Sequence, residues 1–222
     1  MSTWIRRSRN WISCCGRRFC KGCYDSVSHV EPASRPGASP LEVGVHLRSF
    51  YSALSEQTTK DVLAVLRGDP EIPGFLARRQ LGRLEFSGRL PDASWMGYFD
   101  RQSRDLVVNA FRKPESYGKE FYPPELPSVS AAGRNLVEAM QRSLYHEIGH
   151  LVLDAAGPEM DWQVGKLLRS GRAMPVSIRA RKEPEEYFCE TFTAYRFEDA
   201  LADKDPEGYD MVEAILRGVW KK

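Results

Sequence analysis

Residues 141–154 read QRSLYHEIGHLVLD, and the conformation of this stretch decides how the rest of the chain is read. On a helix, residues four apart differ by only about 40° in direction. His146 and His150 therefore project the same way, which is the geometry two nitrogen ligands need to hold one small cation. Zinc suits imidazole and is commonly held by three protein ligands with one position left open. Glu147 is one step round the helix from His146, too far round to be a good ligand beside the histidines but well placed to contact a water at the metal. Val137, Met140, Leu144, Ile148 and Leu151 form a core-facing stripe on the same helix, while Ala139, Ser143, His146, Glu147, His150 and Asp154 form a second, mostly polar one. Gly149 is small enough to let another element approach closely.

The spacing predicts a helix opened by Ser128 or Ser130 and running to about Ala156, where Gly157 and Pro158 end it. A shorter helix is expected near Trp162–Leu168, and another begins at Pro184 and runs to about Phe197. In that last helix Glu186 and Glu190 are four apart and share a face, with Phe188, Phe192 and Tyr195 roughly opposite. A wall carrying carboxylates on one side and aromatics on the other suits a cation site. Glu186 is the preferred third ligand, with Glu190 in support; the reverse assignment is the alternative. Glu183 and Glu185 need no more than the favourable dipole at a helix start. Cys189 lies on neither clear face and reads as a small buried residue.

HEIGHLVLD followed 36 residues later by EYFCETF resembles the catalytic domain of anthrax lethal factor and its toxin and effector relatives. The resemblance covers about residues 80–200. It implies a zincin-like α+β fold, with a small twisted, mostly antiparallel sheet packed on the active-site helix and a helical C-terminal part. It implies one zinc per chain, held by His146, His150 and Glu186, with Glu147 as general base and Glu190 and Asp154 orienting a ligand or its neighbours. The stretch MGYFDRQSRDLVVN resembles the hairpin that precedes the active helix in zincins, where the edge strand can pair with an extended peptide. One position departs from the family. A tyrosine that stabilises the transition state usually stands about seven residues before the ligand glutamate, and here that residue is Arg179. Arg179 or Arg181 could supply positive charge to an oxyanion, or a tyrosine such as Tyr98 or Tyr195 could serve instead.

The activity this implies is zinc-dependent endopeptidase hydrolysis of a protein substrate, of the bacterial toxin or effector type. A regulatory HExxH peptidase acting on a repressor is a second reading, disfavoured by the long gap to the third ligand. A zincin-fold binding module without activity is a third, opposed by the intact Glu147.

The 222 residues suffice for one domain plus a tail. Residues 1–40 read as a disordered leader, basic and cysteine-rich at first and then rich in Ser, Pro and Gly; 41–222 reads as the folded domain. The leader holds Arg6, Arg7, Arg9, Arg17, Arg18 and Lys21 and no acid before residue 23, so removing those six charges from the net +2 leaves the remainder at about −4. That balance points to no nucleic-acid partner. Cys14, Cys15, Cys20 and Cys23 beside the basic residues could be lipidation sites, a cramped zinc knot, or free thiols. The chain has no ordinary signal-peptide pattern, which fits an effector delivered without a cleaved signal into a target cell and associated with its membrane. A monomer is expected. Within the domain, helices are expected at Leu41–Leu54, where His46 would sit, at Lys60–Arg67 and near Gly208–Val219. Strands are expected at Arg83–Ser87, Met96–Phe99 and Asp105–Ala110, with DRQSRD as a hairpin turn and 113–129 as a proline-rich loop.

Overall fold

Helix α3 (Leu136–Ala156) runs through the middle of the protein, with fifteen of its 21 residues buried. The computed structural model describes residues 25–31, 42–48, 52–79, 81–87, 95–109, 116–117, 128–129, 132–133 and 135–220. The leader cysteines and most of the 113–129 loop lie outside those residues. No helix among the described residues is long and apolar enough to cross a membrane.

The fold mixes helices with one five-stranded sheet. The strands are β1 (Asp25–Glu31), β2 (Glu42–Arg48), β3 (Arg83–Ser87), β4 (Gly97–Asp100) and β5 (Asp105–Asn109), in the order β2-β1-β3-β5-β4. Three of the four pairings are antiparallel; β3 and β5 run parallel in the register Arg83↔Asp105. A separate two-stranded piece pairs β6 (Ser116–Tyr117) with β7 (Ala132–Gly133). Helices α1 (Ser52–Gly68) and α2 (Ile72–Arg78) precede β3. After α3 come α4 (Pro158–Arg169), a 3₁₀ turn (Arg179–Arg181), α5 (Pro184–Phe197), α6 (Leu201–Lys204) and α7 (Pro206–Trp220). The core joins Leu84 and Phe86 of β3 and Leu106 and Val108 of β5 to Leu144 and Ile148 of α3, with Phe75 of α2 and Phe188 and Phe192 of α5. Each such large apolar side chain, fully buried, contributes about 1.5–3 kcal/mol.

The β4–β5 hairpin lies where the sequence puts it. Asp100 Oδ1 accepts from the amides of Gln102 at 2.8 Å and Ser103 at 3.3 Å, and Arg104 takes a left-handed φ of 58° to close the turn. α5 has the expected bounds, with Pro184 in its first turn.

Three expectations are corrected. The helix over Leu41–Leu54 is replaced: Glu42–Arg48 is β2, so His46 lies in a strand, opposite Val27 of β1. Val43, Val45 and Leu47 alternate with period two, and this strand pattern prevails over the three- and four-residue spacing. Asp25–Glu31, which composition puts in the leader, is strand β1 and links β2 to β3. Finally, α3 starts later than Ser128 or Ser130. Asn135 is its N-cap, its side chain accepting from the Glu138 amide at 3.0 Å, while Ser128 is turned to another task described below. The far end is as expected: Gly157, at φ 94°, closes α3 with a bond from its amide to Leu153 O at 3.2 Å.

Candidate metal centre

The site forms where α3 and α5 meet. Their backbones approach at Gly149, where an added Cβ would stand 3.1 Å from Cys189 Cα and 3.3 Å from its Sγ. A side chain at position 149 would press on Cys189 and on Phe192 Cδ1, 3.2 Å away, so glycine allows this close approach. On α5, Glu185, Glu186, Cys189 and Glu190 fall at positions i, i+1, i+4 and i+5, a spacing that puts all four on one face. Contacts from three of them show that this face meets α3: Glu185 touches His150, Glu186 and Glu190 touch His146.

Both histidines of α3 meet carboxylates. Glu190 Oε1 is 3.1 Å from His146 Nδ1, and Glu185 Oε1 is 2.7 Å from His150 Nδ1. A carboxylate on Nδ1 leaves Nε2 of each ring for a cation. His146 Nε2 faces Glu186 Oε2 at 3.3 Å, and the two imidazole centroids are 5.1 Å apart. His146 is 1% exposed, and neither of its ring nitrogens completes a hydrogen bond of good geometry. A buried nitrogen pair without a proper partner is rare in a protein that has no further use for it. His146, His150 and Cys189 also bring three potential ligand atoms within 4.8 Å of one another. Imidazole nitrogens with a carboxylate or thiol form a donor set that fits a metal such as zinc.

Glu190 is fully buried and tightly held. Ser128 Oγ and Ser177 Oγ each donate to it at 2.7 Å, and the Val129 amide donates as well. This is why Ser128 does not cap α3. Burial alone would raise the Glu190 pKa; His146 and the two serines outweigh it and pull it down. Burial would likewise lower the His146 imidazole, yet its contacts with Glu186 and Glu190 lift it to about 9. The two carboxylates thus call for a positive charge between them, as an imidazolium or as a metal cation.

Glu147 is also buried, and burial holds its carboxyl above the usual range against the pull of His146, His150 and Arg179. Its neighbour across the site is the sheet edge: a Cβ on Gly97 of β4 would stand 3.0 Å from both Cγ and Oε1 of Glu147. Only main chain fits there, on a strand whose other side has no partner in the described sheet.

Arg179, in the position noted for its departure from the family pattern, donates to Glu186 through Nε at 2.5 Å and Nη2 at 2.9 Å. Burial opposes ionisation of Glu186, but its contacts with His146 and Arg179 prevail and hold it well below the carboxylate range. Arg181 is exposed. Asp154 is on the site side of α3, 3.8 Å from Arg101 Nε. The two tyrosines are placed elsewhere. Tyr195 turns its hydroxyl to Glu213 of α7 at 3.4 Å. Tyr98, next after Gly97 on β4, projects to the opposite sheet face by strand alternation.

Four side chains here carry no site role in the sequence alone. The helix dipole accounts for Glu185 and burial for Cys189, while Ser128 reads as a helix start and Ser177 belongs to no motif. For Glu185 and Cys189 a signal existed: they continue the i, i+4 pattern of Glu186 and Glu190. The serines carry none, since their partner is 62 residues away from one and 13 from the other.

No protein-family model matches the chain, and a search of the curated proteins returns no match.

Proposed function

We propose that this protein is a zinc-dependent endopeptidase of the zincin class, with His146, His150 and Glu186 as the metal ligands and Glu147 as the general base. The observation that carries the reading is the pair of imidazoles on one face of a buried helix, each with a carboxylate at Nδ1 and Glu147 beside them. Glu186 is preferred to Cys189 as third ligand because its carboxylate already faces His146 Nε2. Burial, and after it the carboxylates of Glu186, Glu147, Glu185 and Glu190, raise the Cys189 thiol and keep it neutral until a cation stands beside it.

Zinc bound there would acidify a water and polarise a scissile carbonyl. Glu147 accepts the proton of the attacking water and delivers it to the leaving amine, a role its burial favours by making the carboxylate a stronger base. Arg179 keeps a positive charge beside Glu186 and Glu147. The edge of β4 that has no strand partner among the described residues, with Gly97 against Glu147, offers main-chain groups to an extended peptide and brings it over the base. The resemblance to lethal-factor-type domains extends the proposal to a bacterial effector protease acting on a protein in a target cell.

The test uses the whole chain with Cys14, Cys15, Cys20 and Cys23 changed to Ser, because truncation at residue 41 would delete β1. Elemental mass spectrometry should find about one zinc per chain, lost in His146→Ala. Glu147→Gln should keep the zinc and lose about 10²–10⁴-fold in turnover on a peptide library. Absence of zinc from the zinc-supplied, dialysed protein would end the reading, and full turnover in Glu147→Gln would remove Glu147 from its role.

A further inference from the structure

The two histidines are oriented by different means. Glu190, on His146, is locked by buried donors from two serines and an amide. Glu185, on His150, has no such cage among the described residues. It is partly exposed, and its partner on the other side is Arg101, at the tip of the β4–β5 hairpin. Arg101 Nη2 donates to Glu185 Oε1 at 2.7 Å, and the same oxygen lies 2.7 Å from His150 Nδ1. Arg101 Nε reaches Asp154 Oδ1 at 3.8 Å, one turn along α3 from His150. One arginine on the sheet thus spans both helices of the site, although its side chain is 56% exposed.

An exposed ion pair contributes little to stability, so this arrangement has small value as a brace for the fold. Its geometry suits another purpose. A carboxylate on Nδ1 fixes the tautomer and the ring plane of a metal-binding histidine, and a carboxylate with free rotamers fixes them only if it is itself held.

We infer that Arg101 is a positioning residue for His150: by holding Glu185 it keeps the Nδ1 proton on the carboxylate side and turns Nε2 toward the metal, and it couples the substrate-facing hairpin to the metal site. The inference rests on the proposed metal site. It adds a consequence: displacement of the hairpin by a bound peptide is felt at His150 through a single side chain. Asp154 then acts on the site by steadying Arg101, and among the described residues it makes no hydrogen bond or ion pair with a histidine.

The experiment compares zinc dissociation constants, by competition with a chromogenic chelator, in the whole chain and in Arg101→Ala, Arg101→Lys, Glu185→Ala and the Arg101→Ala/Glu185→Ala double variant. Glu185→Ala should weaken zinc by about 10–100-fold, the range for loss of a histidine's outer partner. Arg101→Ala should weaken it by roughly tenfold, Arg101→Lys should recover part of that, and the double variant should be no weaker than Glu185→Ala. The visible spectrum of the cobalt-substituted protein should change in Arg101→Ala, and the melting temperature of the metal-stripped form should not. A wild-type zinc constant in Arg101→Ala, or full additivity in the double variant, overturns the inference while leaving the peptidase proposal standing. If the unaltered chain itself takes up no zinc, both fall together.

Discussion

Glu190 and Asp205 are both fully withdrawn from solvent, and their neighbours give them opposite characters. Asp205 accepts from the Tyr187 hydroxyl at 2.7 Å, the Met174 amide at 3.0 Å and the Gly208 amide at 3.1 Å. It caps the start of α7 and ties it to the chain before the 3₁₀ turn. All these partners are neutral, and burial leaves the carboxyl above its ordinary range despite them. Glu190 also accepts from three neutral donors, but His146 stands beside it at 3.1 Å, and its pKa is pulled down. One buried acid is therefore satisfied by the fold alone, while the other is kept ionised by an imidazole whose own nitrogens lack proper partners. Burial alone therefore does not distinguish the two carboxylates; the titratable imidazole beside Glu190, with its unmet bonding capacity, does.

The larger effect is expected at Glu190. Glu190→Ala removes the carboxylate that accepts from Ser128, Ser177 and the Val129 amide and stands beside His146, and should cost about 3–5 kcal/mol, the range for removing one partner of a buried charged pair. It should also weaken zinc by about 10–100-fold; chemical denaturation and the chelator assay read the two effects separately. Asp205→Ala, which removes a cap and the carboxylate acceptor of the Tyr187 hydroxyl, should cost roughly 2–3 kcal/mol with zinc affinity unchanged. A loss of zinc in that variant would erase the distinction between the two acids.

The smallest effect is expected at Asp205 when its shape is kept. Asp205→Asn keeps an acceptor for the two amides and should shift stability at neutral pH by less than about 1 kcal/mol. The sign of its pH dependence is informative. A carboxyl whose folded pKa is raised is less willing to ionise in the fold than in the unfolded chain, so its contribution is most favourable below the unfolded pKa and is lost as pH rises through the folded one. Denaturation from pH 4 upward should show that loss in the unaltered chain and a flatter curve in Asp205→Asn.

What could be read from the residues alone follows the range of the interactions. Local periodicity placed α5 from Pro184 to Phe197, the β4–β5 turn, the end of α3 at Gly157, and the shared face of His146 and His150. Pairing across long separations was not legible. The β1 segment DSVSHVE has only two apolar residues and becomes a strand because β2 and β3 flank it. Asn135 caps α3 in place of the serines because Ser128 is drawn to Glu190 across the fold. Glu185 has a sufficient local explanation in the helix dipole, and its actual partners, Arg101 and His150, are 84 and 35 residues away.

Helix α3 is buried on nearly every side, and this has a consequence for how the protein presents itself. The amides from Leu144 to Leu153 should be among the slowest in the molecule to exchange with deuterium, opening only when the whole structure does. An antibody raised against the HEIGH peptide should therefore fail to bind the native protein and should report its unfolding instead.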